Sequence, residues 1–197
     1  MRTMDKTEQR ELVTQTMEIR EDTDGNKILS GYAVKWEKNS VVMGYYRKFR
    51  EQFRQGAFLE SLQKDDQRFL WAHDTSKVLG RTKNSTLQLA EDSIGLRFEL
   101  TLPKTTLGND TYETIKRGDV DGVSFGFSMI TEEIDEPDDD LMLRTVTKAK
   151  LLEVSAVAFP AYPDSEVSAR GYDPYKHFTE ERKRSEKRKR LYLQTLL

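Results

Sequence analysis

Apolar and small or polar residues alternate without a break from Ile94 to Leu102, a period of two that predicts a half-buried strand. Leu87 and Leu89 alternate in the same way within Ser85 to Ala90, and Glu91-Asp92-Ser93 supplies a turn, so the two runs predict a hairpin. Further strands are predicted at Ile28 to Trp36, Arg68 to His73 and Lys77 to Thr82. Between them, Gly56 to Leu62 has the i, i+3, i+4 spacing of a short helix. Pro103 stops the long strand, and Asp110 with Glu113 reads as a capping box for a helix that runs to Arg117 and ends at Gly118.

Beyond that helix, Asp121 to Ile130 predicts a strand with Val123, Phe125, Phe127 and Met129 on one face and Ser124, Gly126 and Ser128 on the other. The glycines beside Ser124 allow another backbone or a substrate to come close. The acidic stretch Glu132 to Asp140 predicts a solvated loop, and Leu141 to Val146 and Leu151 to Phe159 predict two strands. The second of these holds Glu153 between Leu152 and Val154, a carboxylate where an apolar strand would prefer none. The pattern fades after Pro160-Ala161-Tyr162-Pro163, and from Tyr172 onward the chain predicts a basic helical extension closed by Leu191 to Leu197. There is no internal repeat.

A chain of 197 residues can bury one sizeable core. The composition divides it into a polar N-terminal segment at 1–27, a folded domain at 28–165 and a basic tail at 166–197. The chain has no cysteine, which excludes disulfides, thiolate zinc sites and cysteine nucleophiles and leaves oxygen nucleophiles for any catalysis. No stretch approaches the roughly 20 apolar residues of a membrane span, so no membrane partner and a reducing, cytosolic setting are expected. The net charge of -2 gives no global attraction to nucleic acid. The tail's glutamates and the lack of aromatics in its basic run argue against a specific nucleic-acid site. Asp138, Asp139 and Asp140 lack the spacing and the glycine of a calcium loop, so no metal and no cofactor are expected.

Within this frame the informative run is Gly122-Val123-Ser124-Phe125-Gly126-Phe127, with His73 before it and Glu153 after it. Histidine, serine and a carboxylate are the parts of a nucleophilic hydrolase, and this chain order differs from those of the chymotrypsin, subtilisin and α/β-hydrolase types. The strand context of Ser124 also disfavours a lipase or esterase, whose nucleophile sits at a strand-to-helix turn. Of the two histidines, His177 lies in the tail, so His73 is the candidate base. As a strand residue it would share a face with Phe69 and Trp71, which leaves a purely structural histidine open. Ser128 rivals Ser124 on the same face, Asp74 rivals Glu153, and Lys148 or Lys150 would be an ordinary ion-pair partner for Glu153.

Four blocks together resemble the prohead maturation proteases of tailed double-stranded DNA bacteriophages. They are Gln55-Gly56-Ala57-Phe58, then Trp71-Ala72-His73-Asp74 with Val78-Leu79-Gly80-Arg81, then the Ser124 run, and finally Leu152-Glu153-Val154-Ser155 leading to Phe159-Pro160-Ala161. The resemblance implies an α+β fold similar to the herpesvirus assemblins: a mostly antiparallel β-barrel surrounded by helices, here with a basic helical C-terminal tail. It implies a serine endopeptidase in the interior of the phage procapsid, assembled in the host cytoplasm. Its partners would be the major capsid protein and its N-terminal scaffolding segment, or a separate scaffold protein, and the enzyme itself through autocleavage. A homo-oligomer stays open. Carried onto this chain, His73 is the general base, Ser124 the nucleophile and Glu153 the orienting acid; the sequence does not locate the oxyanion donor, for which Arg81 and a backbone amide within 159–164 stay open. The tail would dock the enzyme on scaffold or be trimmed by self-cleavage. The reading from another class is a non-catalytic capsid assembly or scaffolding factor whose tail does the binding.

Overall fold

In the computed structural model, which describes residues 7–12, 17–44, 48–135 and 141–158, the alternating runs form two sheets around one core. The order is β1 (Thr7–Leu12), β2 (Glu18–Glu21), β3 (Lys27–Lys35), β4 (Phe49–Phe53), α1 (Leu59–Lys64), β5 (Arg68–Trp71), β6 (Asp74–Arg81), β7 (Leu87–Glu91), β8 (Gly95–Thr101), α2 (Thr106–Lys116), β9 (Gly122–Asp135) and β10 (Met142–Val157). The polar stretch 1–27 thus contributes two paired strands, while the tail at 166–197 and the predicted helix within it lie outside the described residues.

The smaller sheet runs β2-β3-β8-β7 and is antiparallel throughout. Its alternation sends Leu29, Leu87, Leu96, Phe98 and Leu100 into the core and leaves Arg97 outside. The larger sheet runs β1-β9-β10-β5-β6, with β4 also paired to β10. Here β10 is antiparallel to β9 and parallel to β4 and β5, so the sheet is mixed. Phe69 on β5 meets Phe98 on β8 with ring centroids 5.2 Å apart, and Phe53, Phe58, Phe125 and Phe127 form an aromatic cluster beside them. Rings at such distances and tilts bury large apolar area and add edge-to-face attraction.

Several expectations change. There is no closed barrel among the described residues: β1 and β6 edge one sheet, β2 and β7 edge the other, and no ladder joins those edges as closure requires. Among the described residues two helices accompany the sheets in place of a surrounding set. Of the stretch predicted as an acidic loop, Glu132 to Asp135 continues β9, where Glu132 and Glu133 have cationic partners, and 136–140 lies outside the described residues. Arg144 Nε lies 2.5 Å from Glu132, and Arg54 makes a bidentate pair with Glu133 at 2.8 Å. The two strands predicted after it are one 16-residue strand, which absorbs its irregular stretch in register shifts between Val146 and Ala149. Helix α2 starts earlier than the capping box suggests, since the Thr105 hydroxyl accepts from the Gly108 amide at 3.2 Å and Asp110 lies inside the helix. It ends as expected, with Gly118 at φ 79.

The turn before α1 depends on a residue from the other sheet. The Glu91 carboxylate accepts from the Gly56 and Phe58 amides, each at 2.8 Å, doing what a local capping side chain would do. Burial pushes its carboxyl above the ordinary value, against the pull of these two amides.

Candidate active site

Strand β5 ends at Trp71, which pairs with Asp74 at the start of β6, so Ala72 and His73 form a two-residue hairpin turn. Both have positive φ, 50 and 59, as a type I′ turn requires. Asn-Gly is the usual sequence for such a turn, and for alanine and histidine the left-handed conformation costs about 1 kcal/mol each. His73 therefore does not extend the face of Phe69 and Trp71 as the strand reading expects. Two amides tie the turn to β10: Ala72 N–H donates to the Ala156 carbonyl at 2.9 Å, and His73 N–H to the Ser155 hydroxyl at 3.2 Å.

The tether brings the imidazole to a carboxylate 80 residues further on. His73 Nδ1 lies 2.7 Å from Glu153 Oε1, and the two side chains are 15% and 13% exposed. Glu153 reaches this position through a bulge: Leu151 faces Phe127 and Glu153 faces Gly126, so Leu152 is an extra residue on β10. Such a bulge re-aims the following side chains. Gly126 completes the fit, because a Cβ built there would fall 2.7 Å from Glu153 Oε1. The other carboxylate oxygen, Oε2, accepts from the Ser155 hydroxyl at 2.5 Å.

Ser155 and Ser124 are directly opposed across β10 and β9, with Glu153 and Gly126 the next opposed pair on that face. Ser124, Ser155, Glu153 and His73 are thus gathered about one sheet face, and both serines are fully buried. Ser128 is also buried, but it opposes Lys150, four residues and about 13 Å along the strand from Ser124. The other rivals are engaged elsewhere. Asp74 Oδ1 accepts from the Ser76 amide and hydroxyl at 2.9 and 2.6 Å, while Lys148 pairs with Glu60 and Lys150 lies 3.6 Å from Asp65. Arg81 pairs with Asp66 and lies opposite Arg68, at the other end of the β5–β6 hairpin from the turn and about 10 Å along β5 from Trp71. The backbone at 159–164 lies outside the described residues.

An ionised carboxylate only accepts, so the short His73–Glu153 contact suits an imidazole with its proton on Nδ1, and in the neutral ring that tautomer has its lone pair on Nε2. Nε2 is buried and has no hydrogen-bond partner among the described residues. No group of three or more His, Cys, Asp or Glu side chains among the described residues could hold a metal ion. Sequence reasoning did not find Ser155. It sits as a small residue inside an apolar run, where nothing in the pattern separates it from a packing residue.

A histidine with a carboxylate on Nδ1 and no partner on Nε2 among the described residues, together with a serine on the strand beside the carboxylate's, supplies the parts that serine hydrolases use. The chain belongs to the caudovirus prohead serine proteases, whose family pattern matches residues 15–178. It is a serine protease of phage capsid maturation, a role that places it inside the procapsid with capsid or scaffold proteins. No curated protein matches the sequence. Among solved structures, the bacteriophage T4 capsid assembly protease, gp21, is similar with a TM-score of 0.45 and 11% identity, over 77% of this chain and 99% of that one. No helix among the described residues is long and apolar enough to cross a membrane.

Proposed function

We propose that this protease cleaves the N-terminal scaffolding segment of the major capsid protein, or a separate scaffold protein, and itself, using Ser124, His73 and Glu153. Ser124 Oγ attacks the scissile carbonyl while His73 Nε2 takes its proton. Glu153 holds the imidazole in the Nδ1–H tautomer and offsets the charge that develops on it. The imidazolium then gives its proton to the leaving amine, and water, activated by the same nitrogen, hydrolyses the acyl-enzyme. The observation that carries this reading is the His73 Nδ1 contact with Glu153 at 2.7 Å, coupled with a buried Nε2 that has no partner among the described residues.

The test is co-expression of the chain with its cognate capsid protein, as wild type and as Ser124→Ala, followed by intact-mass measurement of both proteins. Loss of a capsid N-terminal segment with wild type alone is expected, and the mass difference gives the cleavage site. Processing that persists in Ser124→Ala would remove Ser124 as nucleophile. A wild-type C-terminus that stays intact during capsid turnover would remove self-trimming of the tail.

A further inference from the structure

The Ser155 hydroxyl touches both partners of the His73–Glu153 pair. It has one proton, which goes to Glu153 Oε2 at 2.5 Å, so its oxygen is left to accept the His73 amide at 3.2 Å. One side chain therefore sets two things: the rotation of the carboxylate, with Oε1 facing the imidazole, and the position of the left-handed turn that carries that imidazole. A residue in so unfavourable a backbone region persists only where its surroundings hold it, and the contacts that hold this turn come from Ala156 and Ser155. Ser155 is also fully buried, so water cannot replace the hydroxyl without opening the strand pair.

We infer that Ser155 is a positioning residue of the reaction, acting through Glu153 and His73 and not on the substrate. The inference rests on the roles given above to those two residues. Ser155→Ala removes the donor to the carboxylate and the acceptor for the turn together. Glu153 is then free to rotate off Nδ1, and the imidazole loses its aim. Ser155→Thr keeps a hydroxyl on the same carbon and retains both contacts.

Two measurements test this. The first is kcat and KM of wild type, Ser155→Ala and Ser155→Thr on a peptide spanning the capsid cleavage site mapped by mass. The expected loss in Ser155→Ala is roughly 10- to 100-fold, the size of a charge-assisted hydrogen bond, carried by kcat with KM unchanged, and Ser155→Thr recovers most of it. The second is the downfield proton resonance of His73 Nδ1–H, recorded in a Ser124→Ala background so that self-digestion does not intervene. It is expected in Ser124→Ala, absent once Ser155→Ala is added, and present again with Ser155→Thr.

Wild-type rates together with a retained resonance in Ser155→Ala would overturn the inference. So would a rate loss with the resonance retained and no recovery by threonine, since that is the mark of packing alone. If Ser155→Ala fails to fold, Ser155→Cys, of similar size and with a weaker donor, carries the same comparison. A wild type that cleaves no capsid protein would instead count against the proteolytic reading, and the resonance would still decide whether Ser155 holds the imidazole.

Discussion

Gly95 and Gly126 both sit on strands with no room for a methyl group, and what fills the space differs between the two sheets. A Cβ on Gly95, in the smaller sheet, would lie 2.1 Å from the Val34 carbonyl oxygen, which is backbone and cannot move without parting β3 from β8. A Cβ on Gly126, in the larger sheet, would meet the carboxylate of Glu153, the mobile end of a side chain. One glycine lets two strands approach; the other lets a side chain lie where it can hold an imidazole. The contrast extends to the sheets around them. The smaller sheet buries mainly apolar side chains, whereas the larger one buries Ser124, Ser128, Ser155, Glu51 and Arg144 among its aromatics. Packing decides the first sheet, and polar groups with particular partners decide the second.

The largest expected effect is on activity. Gly126→Ala should lower kcat/KM by about 10³- to 10⁴-fold, as when a triad carboxylate no longer holds its histidine, and should change stability by less than about 1 kcal/mol. Kinetics paired with urea unfolding check both halves, and an active Gly126→Ala would erase the contrast between the glycines. Next comes Arg144→Met. Arg144 is fully buried with Nη1 2.9 Å from Glu51, so removing it strands carboxylates in the core and should cost about 3 to 5 kcal/mol by denaturant titration. Gly95→Ala should cost about 1 to 3 kcal/mol, the usual range for overpacking, with kcat per folded molecule unchanged.

Two smaller effects sharpen the comparison. Ala72→Gly removes the left-handed penalty at one turn position but loosens the unfolded chain, so a net gain of only about 0.5 kcal/mol is expected, read from the urea midpoint. The other is a pH effect remote from the site. Hydrogen bonding to Arg81 holds the Asp66 carboxyl down to about 2, against 3.8 for a free carboxyl. A depressed folded-state pKa stabilises above the unfolded value and is lost as pH falls through the folded one. The melting-temperature difference between wild type and Asp66→Asn should therefore be constant above about pH 5 and shrink between about pH 4 and 2.

The same contrast governs how much of the molecule can be read from its sequence. Strands β7 and β8 each have one buried face, so Leu87 and Leu89 and the run from Leu96 to Leu100 advertise their period, and the hairpin is legible. Strand β9 is buried on both faces through Ser128, and β10 is shifted by bulges, so alternation there cannot show where one strand ends. His73 and Glu153 stand out because each is out of character with its surroundings, a scarce histidine and a carboxylate in an apolar run. Their partnership depends on the turn at Ala72-His73 and the extra residue at Leu152. Neither carries a local signal, since that turn lacks the asparagine and glycine that ordinarily mark it. Ser155 is hidden for the opposite reason, being in perfect character with a buried strand.

The length of β10 also has a consequence in time. The β5–β6 hairpin and its turn belong to the first half of the chain, but the acceptors that hold the turn, Ala156 O and Ser155 Oγ, and the carboxylate that meets the imidazole, all come from residues 153–156. A ribosome that has finished the hairpin has still to add more than 70 residues before His73 gains a partner. Because β10 joins β5 in parallel, that pairing forms only after the long loop between them closes. The proteolytic centre proposed here is therefore absent from every nascent or truncated chain that stops short of Glu153, and such fragments pose no threat to the scaffold and capsid proteins made beside them.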